Sequence, residues 1–478
     1  MKFLNNLKPT FDLTYNDVFL VPNKTDVNSR FDVDLSAPDG LTNIPIVVAN
    51  MTAVSGKRMA ETVTRRGGLA VLPQDAPLSV TKRIIDSIRN AHPIFDTPLT
   101  LSEKDIVSTA QNIIHKRSHG AVVVVDEDNK PIGIVTEADM EGFDRFKPLS
   151  DVMNTKVLAL KDTMNLKEMY HFLNNNRLSV APVVNKSGKL VGIMTPKACL
   201  RSEIYKPNLD KKGRLKVAVA IGVNKDVEKR AKTFIDWEVE ILVLDTAHGH
   251  QQKMIDAIKT VRKLSKKVTI VAGNIATKEG TRDLLLAGAD VIKVGIGPGA
   301  MCTTRVMTGV GRPQLSAVLD CANEAKKLGK HIWADGGIRY PRDIALAMAG
   351  GAGNVMFASW FAKTHESAGE IRFDESGRAY KESFGMASRR AVRERNQKEL
   401  SLELAKKELF EEGISTSKFY IDPARPGVED IIDQIMAGVR SACTYVGVSK
   451  LDKMHSKAVI GIQSTSGYQE GLPLPTNW

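Results

Sequence analysis

One cysteine stands where residue types and spacing could do chemistry. The run is Val291-Ile292-Lys293-Val294-Gly295-Ile296-Gly297-Pro298-Gly299-Ala300-Met301-Cys302-Thr303-Thr304-Arg305. A β-branched stretch gives way to three glycines and a proline, and the cysteine follows among polar residues. Glycine lets backbone approach a ligand closely and leaves N–H groups free to face an anion. A thiol beside polar residues, with Arg305 close in sequence, is placed to act as a thiolate. The plain alternative is a small core hydrophobe closing a strand. Cys199, Cys321 and Cys443 are widely spaced and form no Cys-x-x-Cys pair, which argues against a disulfide framework or a zinc site.

Eight short apolar runs must position that loop: residues 44–51, 68–74, 217–222, 241–247, 268–274, 291–297, 332–337 and 354–360. Helical periods lie between most of them, as in Leu315, Val318, Leu319, Ala322 and Ala325. Continuous apolar strands alternating with helices predict an α/β fold with a parallel sheet, and eight units predict a (β/α)8 TIM barrel. Its active site belongs at the C-terminal strand ends. These are Asn50-Met51, Gln74-Asp75, Gly222, Asp245, Asn274, the 297–302 loop, Asp335-Gly336-Gly337 and Ser359.

About 110 residues interrupt the barrel between its second and third runs, far too many for a βα loop. They repeat internally. Ala121-Val122-Val123-Val124-Val125 leading to Gly133-Ile134-Val135-Thr136 recurs 59 residues later as Val180-Ala181-Pro182-Val183-Val184 leading to Gly192-Ile193-Met194-Thr195. Two small α/β modules inserted as a separate domain are predicted. The expected division is 1–94 for the first part of the barrel, 95–205 for the pair (about 95–150 and 151–205), and 206–478 for the rest.

The chain has 478 residues and a net charge of +12. Its lysines are spread out rather than gathered into a stripe, which suits small anionic ligands and a solvated surface, not nucleic acid. No apolar run approaches the ~20 residues of a membrane helix, and the first twenty residues hold no signal-like stretch. A cytoplasmic protein with no membrane partner is expected.

Three motifs resemble the IMP dehydrogenase/GMP reductase family: Pro298-Gly299-x-x-Cys302-x-Thr304, Asn16-Asp17-Val18-Phe19-Leu20-Val21-Pro22 and Asp335-Gly336-Gly337-Ile338. The inserted repeats look like the paired CBS (Bateman) modules that this family often carries. The resemblance implies attack of the cysteine on purine C2 and hydride exchange with a nicotinamide cofactor. The dehydrogenase arm of the family activates water with an Arg-Tyr pair on a flap. The corresponding stretch here, 385–413, has several arginines but none followed by tyrosine.

Cys302-Thr303-Thr304-Arg305, Ala49-Asn50-Met51 and the Gly438-Val439-Arg440-Ser441-Ala442-Cys443 segment resemble the reductase arm. That arm implies reduction of GMP to IMP with NADPH. The implied catalytic set is Cys302 with a Thr304–Glu412 proton relay. Implied substrate contacts are Asn50, Met51, Asn274, Asp335, Gly336, Gly337, Ser359 and Ser388; the cofactor side is Asp245, Thr246, Ala247, Gly295, Ile296 and Gly297. A monovalent cation, K+, is implied on Gly297, Gly299 and Cys302. Thr136 and Asp139 in the first module, and Thr195 in the second, imply a regulatory adenine or guanine nucleotide; Ala198 stands where the second Asp would be. A homotetramer or homo-octamer is expected. Ala300 departs from the resemblance, since most of the family carries a Ser there that helps hold the substrate phosphate. The alternatives are IMP dehydrogenase, or a purine-nucleotide sensor without activity.

Overall fold

The computed structural model describes residues 1–7, 9–224, 226–385, 402 and 417–473. Its centre is a closed barrel of parallel strands: β1 (Ile46–Val48), β2 (Leu69–Leu72), β3 (Ala218–Gly222), β4 (Ile241–Asp245), β5 (Thr269–Ile275), β6 (Val291–Val294), β7 (His331–Asp335) and β8 (Asn354–Phe357). Each predicted apolar run supplies one strand, and β1 closes on β8. The expected α/β barrel is what the chain forms.

Strand parity decides which side chains reach the lumen. Ile241 and Val243 of β4, Val291 of β6 and Trp333 of β7 pack inside with Val47, Val71, Ala220 and Met356. Their neighbours Leu242, Leu244, Ile292, Ile332 and Ala334 face the surrounding helices. Two residues further along the same inward rows come Asp245, Lys293 and Asp335. The apolar filling is therefore topped by a charged layer at the C-terminal mouth. At the other end, Trp333 Nε1 donates to Asp39 at 2.7 Å and Asn354 Nδ2 donates to the same carboxylate at 3.0 Å. Helix Gln314–Lys327 buries Leu315, Val318, Ala322 and Ala325 of the stripe its sequence shows, with Leu319 half-buried beside them.

Between β2 and β3 the chain forms two three-stranded sheets. One holds Leu99–Leu101, Ala121–Val125 and Pro131–Thr136; the other holds Leu160–Lys161, Ala181–Val184 and Leu190–Met194. In both, the first pair is parallel and the second antiparallel. The repeated glycines share one reason. A Cβ on Gly133 would meet Met153 Sδ at 2.3 Å, and one on Gly192 would meet Phe95 Cβ at 2.4 Å. Ala121 and Val123 of the first sheet pack on Val180, Leu190 and Ile193 of the second half.

Arginines clasp this insertion to the barrel. The fully buried Arg66 reaches Asp96 at 3.2 Å on the entering segment and Ser202 Oγ at 2.8 Å on the departing helix. It also pairs with Glu429, which Arg201 contacts at 3.2 Å. At the termini, Val459–Ile462 pairs with both Lys2–Phe3 and Val18–Leu20, which fixes the Asn16 segment beside the mouth. No described helix is long and apolar enough to cross a membrane.

Candidate active site

A cleft of about 620 Å³ opens at the C-terminal ends of the strands. Its lining includes Met51, Ala247, Gly297, Gly299, Cys302, Thr304, Asp335, Gly336, Gly337 and Ser359. Cys302 is exposed, whereas Cys199, Cys321 and Cys443 are buried. Its Sγ lies 3.3 Å from Thr304 Oγ1, so an exposed thiol and a hydroxyl stand together.

The loop depends on glycine at two points. At Gly295 (φ +153°) a Cβ would sit 2.0 Å from the Asp335 carbonyl, so the β6 exit passes directly against β7. At Gly297 (φ +88°) it would collide with the Arg305 stem at 2.3 Å. The Cys302 N–H donates to the Gly299 carbonyl at 3.0 Å, closing a turn that presents the thiol.

Behind this surface lies an ionic layer centred on Lys293. Its ammonium is 2.8 Å from Asp245 and 3.0 Å from Asp335, and it also bonds Asn274 Oδ1. Asn274 returns its Nδ2 to Asp335 at 2.9 Å and to the Gly295 carbonyl at 2.7 Å. Asn50 Nδ2 donates to Asp245 at 3.0 Å. The β5–β6 register shifts between Gly273 and Ile275, and this irregularity turns Asn274 toward the layer. Burial alone would lower the Lys293 pKa. The two carboxylates outweigh it and raise the pKa, so the ammonium stays charged.

Most residues expected at the site therefore meet at one mouth. Met51, Ala247 and Ser359 line the cleft, and Asn50, Asn274 and Asp245 build the ionic layer. Thr246 and Ile296 hold the loops through backbone bonds: Thr246 N–H donates to the Gly273 carbonyl at 3.0 Å, and the Ile296 carbonyl accepts from Arg312 N–H at 3.2 Å. Ser388 and Glu412 lie outside the described residues.

Thr136, Asp139 and Thr195 sit in the insertion, at helix starts. Thr136 Oγ1 donates to Asp139 at 2.7 Å, and Thr195 Oγ1 accepts from Ala198 N–H at 3.0 Å. Both threonines act as helix caps.

Lys293 was not singled out from the sequence, although it has a signal: it is a charged residue in the interior of an apolar barrel strand, not at its end, and shares parity with Val291. Thr14, Tyr15, Asn16, Gln314 and Arg339 also line the cleft and were missed as site residues. Gln314 Nε2 ties Val294 to Asp335 through their carbonyls, at 2.9 and 3.2 Å.

A family model described as the IMP dehydrogenase / GMP reductase domain matches residues 12–473. The chain belongs to the IMP dehydrogenase/GMP reductase family. It is 52% identical to a GMP reductase of Mycobacterium tuberculosis, over the full length of both chains. It is 36% identical to an inosine-5'-monophosphate dehydrogenase of Halalkalibacterium halodurans, covering 96% of this chain and 95% of that one. Among solved structures, a cysteine-to-alanine variant of GMP reductase from Trypanosoma brucei, in complex with guanosine 5'-monophosphate, matches with a TM-score of 0.68. That match has 28% identity and covers 99% of each chain.

Proposed function

We propose that this chain is a GMP reductase, converting GMP, NADPH and two protons into IMP, NADP+ and ammonium. The observation carrying this reading is the exposed Cys302 thiol beside Thr304, at the mouth of a family barrel that is 52% identical to a GMP reductase. The flap sequence adds support, since none of its arginines precedes a tyrosine. Cys302 Sγ adds to purine C2. Thr304, re-supplied by Glu412, protonates the 2-amino group, which leaves as ammonia and a thioimidate remains. The nicotinamide, when bound, supplies the hydride to C2. The C–S bond then breaks and Cys302 recovers its electron pair.

Asp335 is assigned to the ribose diol, because a carboxylate at a strand end can accept two hydroxyl bonds. Asn50, Met51 and Asn274 flank the base and ribose; Gly336, Gly337, Ser359 and Ser388 take the phosphate. Asp245, Thr246, Ala247, Gly295, Ile296 and Gly297 would hold NADPH. The buried, unpartnered Gln74 Oε1 beside Gly222 fits that polar ligand on the same rim. The carbonyls of Gly297, Gly299 and Cys302 offer the hard oxygen donors that suit K+.

Residues 95–205 are assigned as a CBS pair, with 1–94 and 206–478 as the catalytic parts. Thr136, Asp139 and Thr195 would contact a regulatory purine nucleotide. A cytoplasmic homotetramer or homo-octamer completes the reading. The deciding assay follows reduced-cofactor absorbance with GMP plus NADPH, and separately with IMP plus NAD. Consumption in the first reaction is expected; reduction of NAD by IMP in the second, with no turnover of GMP, would make the chain a dehydrogenase.

A further inference from the structure

We propose that Arg339 recognises the 5'-phosphate of the bound purine nucleotide, acting as the charged phosphate contact of the cleft. This rests on the function proposed above. A nucleotide whose C2 faces Cys302 and whose ribose meets Asp335 must carry its phosphate beyond Asp335, away from the thiol. The chain itself runs that way, through Gly336, Gly337 and Ile338 to Arg339, and all four line the same cleft as Cys302.

Among the described lining residues the cations are Arg305 and Arg339, and the one carboxylate is Asp335. Arg305 belongs to the thiol side, because its stem lies across Gly297 and Gly311. Arg339 is on the Gly337 side, and among the described residues its guanidinium has no hydrogen-bond or ion-pair partner. Ala300, also in the lining, brings only a methyl group. A dianion entering this end therefore finds backbone amides and one free guanidinium, a planar fork that matches phosphate oxygens.

The backbone holding Arg339 is fixed. Its N–H donates to Asp343 Oδ2 at 2.8 Å, and the Tyr340 N–H donates to the same oxygen at 2.9 Å. Asp343 is buried in the first turn of helix Pro341–Ala349. The next arginine, Arg342, ties that helix to the N-terminal segment of the cleft lining, donating to the Tyr15 carbonyl at 3.2 Å and to Asn16 Oδ1 at 3.0 Å. Arg339 thus projects from a braced ledge, and its side chain is left for a ligand.

The test measures calorimetric binding of IMP and of inosine, which share a base and ribose and do not react without oxidised cofactor. Arg339→Met is expected to weaken IMP binding roughly ten- to hundredfold, the span of a charge-assisted contact, while inosine binding changes less than twofold. Arg339→Lys should fall between, keeping the charge but losing the fork, and Arg339→Gln gives the same comparison if the Met variant does not fold. The IMP affinity of the wild type should fall with added salt more steeply than that of Arg339→Met. Loss of IMP affinity under threefold, or an equal loss for inosine, would overturn the assignment. Failure of the wild type to bind IMP at all would instead remove the proposed function and this contact with it.

Discussion

Replacing Lys293 by Met tests the ionic layer under the cleft. The substitution keeps most of the unbranched stem and removes the charge that Asp245 and Asp335 share at 2.8 and 3.0 Å. Removing one partner of a buried ion pair costs about 3–5 kcal/mol. Here the two acids keep 17% and 18% exposure and retain the amides of Asn50 and Asn274, which puts the expectation at the lower end, about 3 kcal/mol. Urea unfolding of the purified variant measures it.

Catalysis should suffer as well. Two carboxylates that repel each other would shift Asp335 and Asp245, the groups proposed for the ribose and the cofactor side, and displacement on the order of 1 Å can cost about 10²-fold in rate. A fall of that order is expected in kcat/KM for GMP, with KM for NADPH also raised. Asp245→Asn should cost less stability than Lys293→Met, since it leaves the ammonium one carboxylate. A Lys293→Met protein within about 1 kcal/mol of wild type, with kcat/KM within threefold, would refute the shared-counterion argument.

Cys302→Ser should abolish turnover while GMP still binds, checked by steady-state rates and calorimetry; activity within about tenfold of wild type would remove the cysteine from the chemistry. Glu412→Gln should slow ammonia release in single-turnover assays by on the order of 10²-fold, with hydride transfer to a preformed adduct affected less; if ammonia release is unaltered, Glu411 is the next carboxylate to test. Acid should weaken the fold around the insertion, because burial, followed by nearby cations, lowers the pKa values of His92, His119 and His365 to about 4. Between pH 6.5 and 4 these three histidines bind more protons in the unfolded chain than in the folded one, so the stability they contribute is lost as pH falls through that window. The urea midpoint should drop between pH 6.5 and 4.5 and drop less in His119→Gln; a flat profile contradicts it.

The barrel was legible because β-branched runs buried on both faces leave a pattern that survives without long-range information. The cleft was legible where glycine and cysteine mark strand ends. Lys293 shows what period alone hides. Its neighbours Ile292 and Val294 make β6 read as uniformly apolar, and only the inward row shared with Val291 exposes the charge as a lumen residue. Arg339 and Asn16 were missed for another reason. They come from a loop past β7 and from the N-terminal segment, and the pairing of Val18–Leu20 with Val459–Ile462 that brings Asn16 to the mouth spans nearly the whole chain. The Thr136–Asp139 spacing was read as a nucleotide contact, and the same spacing also makes the reciprocal cap seen at that helix.

The Arg66 clasp has a consequence for the order of folding. Val71 and Ala218 are adjacent in the sheet although the whole insertion separates them along the chain. Closing that gap through a disordered segment costs about 0.6 kcal/mol for each doubling of its length. If the two modules collapse first, Arg66, Asp96 and Ser202 draw the entering and departing ends together, and the stretch the barrel must still close shrinks to the short connections outside them. Three halvings of effective length recover about 2 kcal/mol of that entropy. An insertion that looks like an interruption would then act as a primer for closing the barrel around it, and its removal would have to be judged by refolding rate as well as by the stability of what remains.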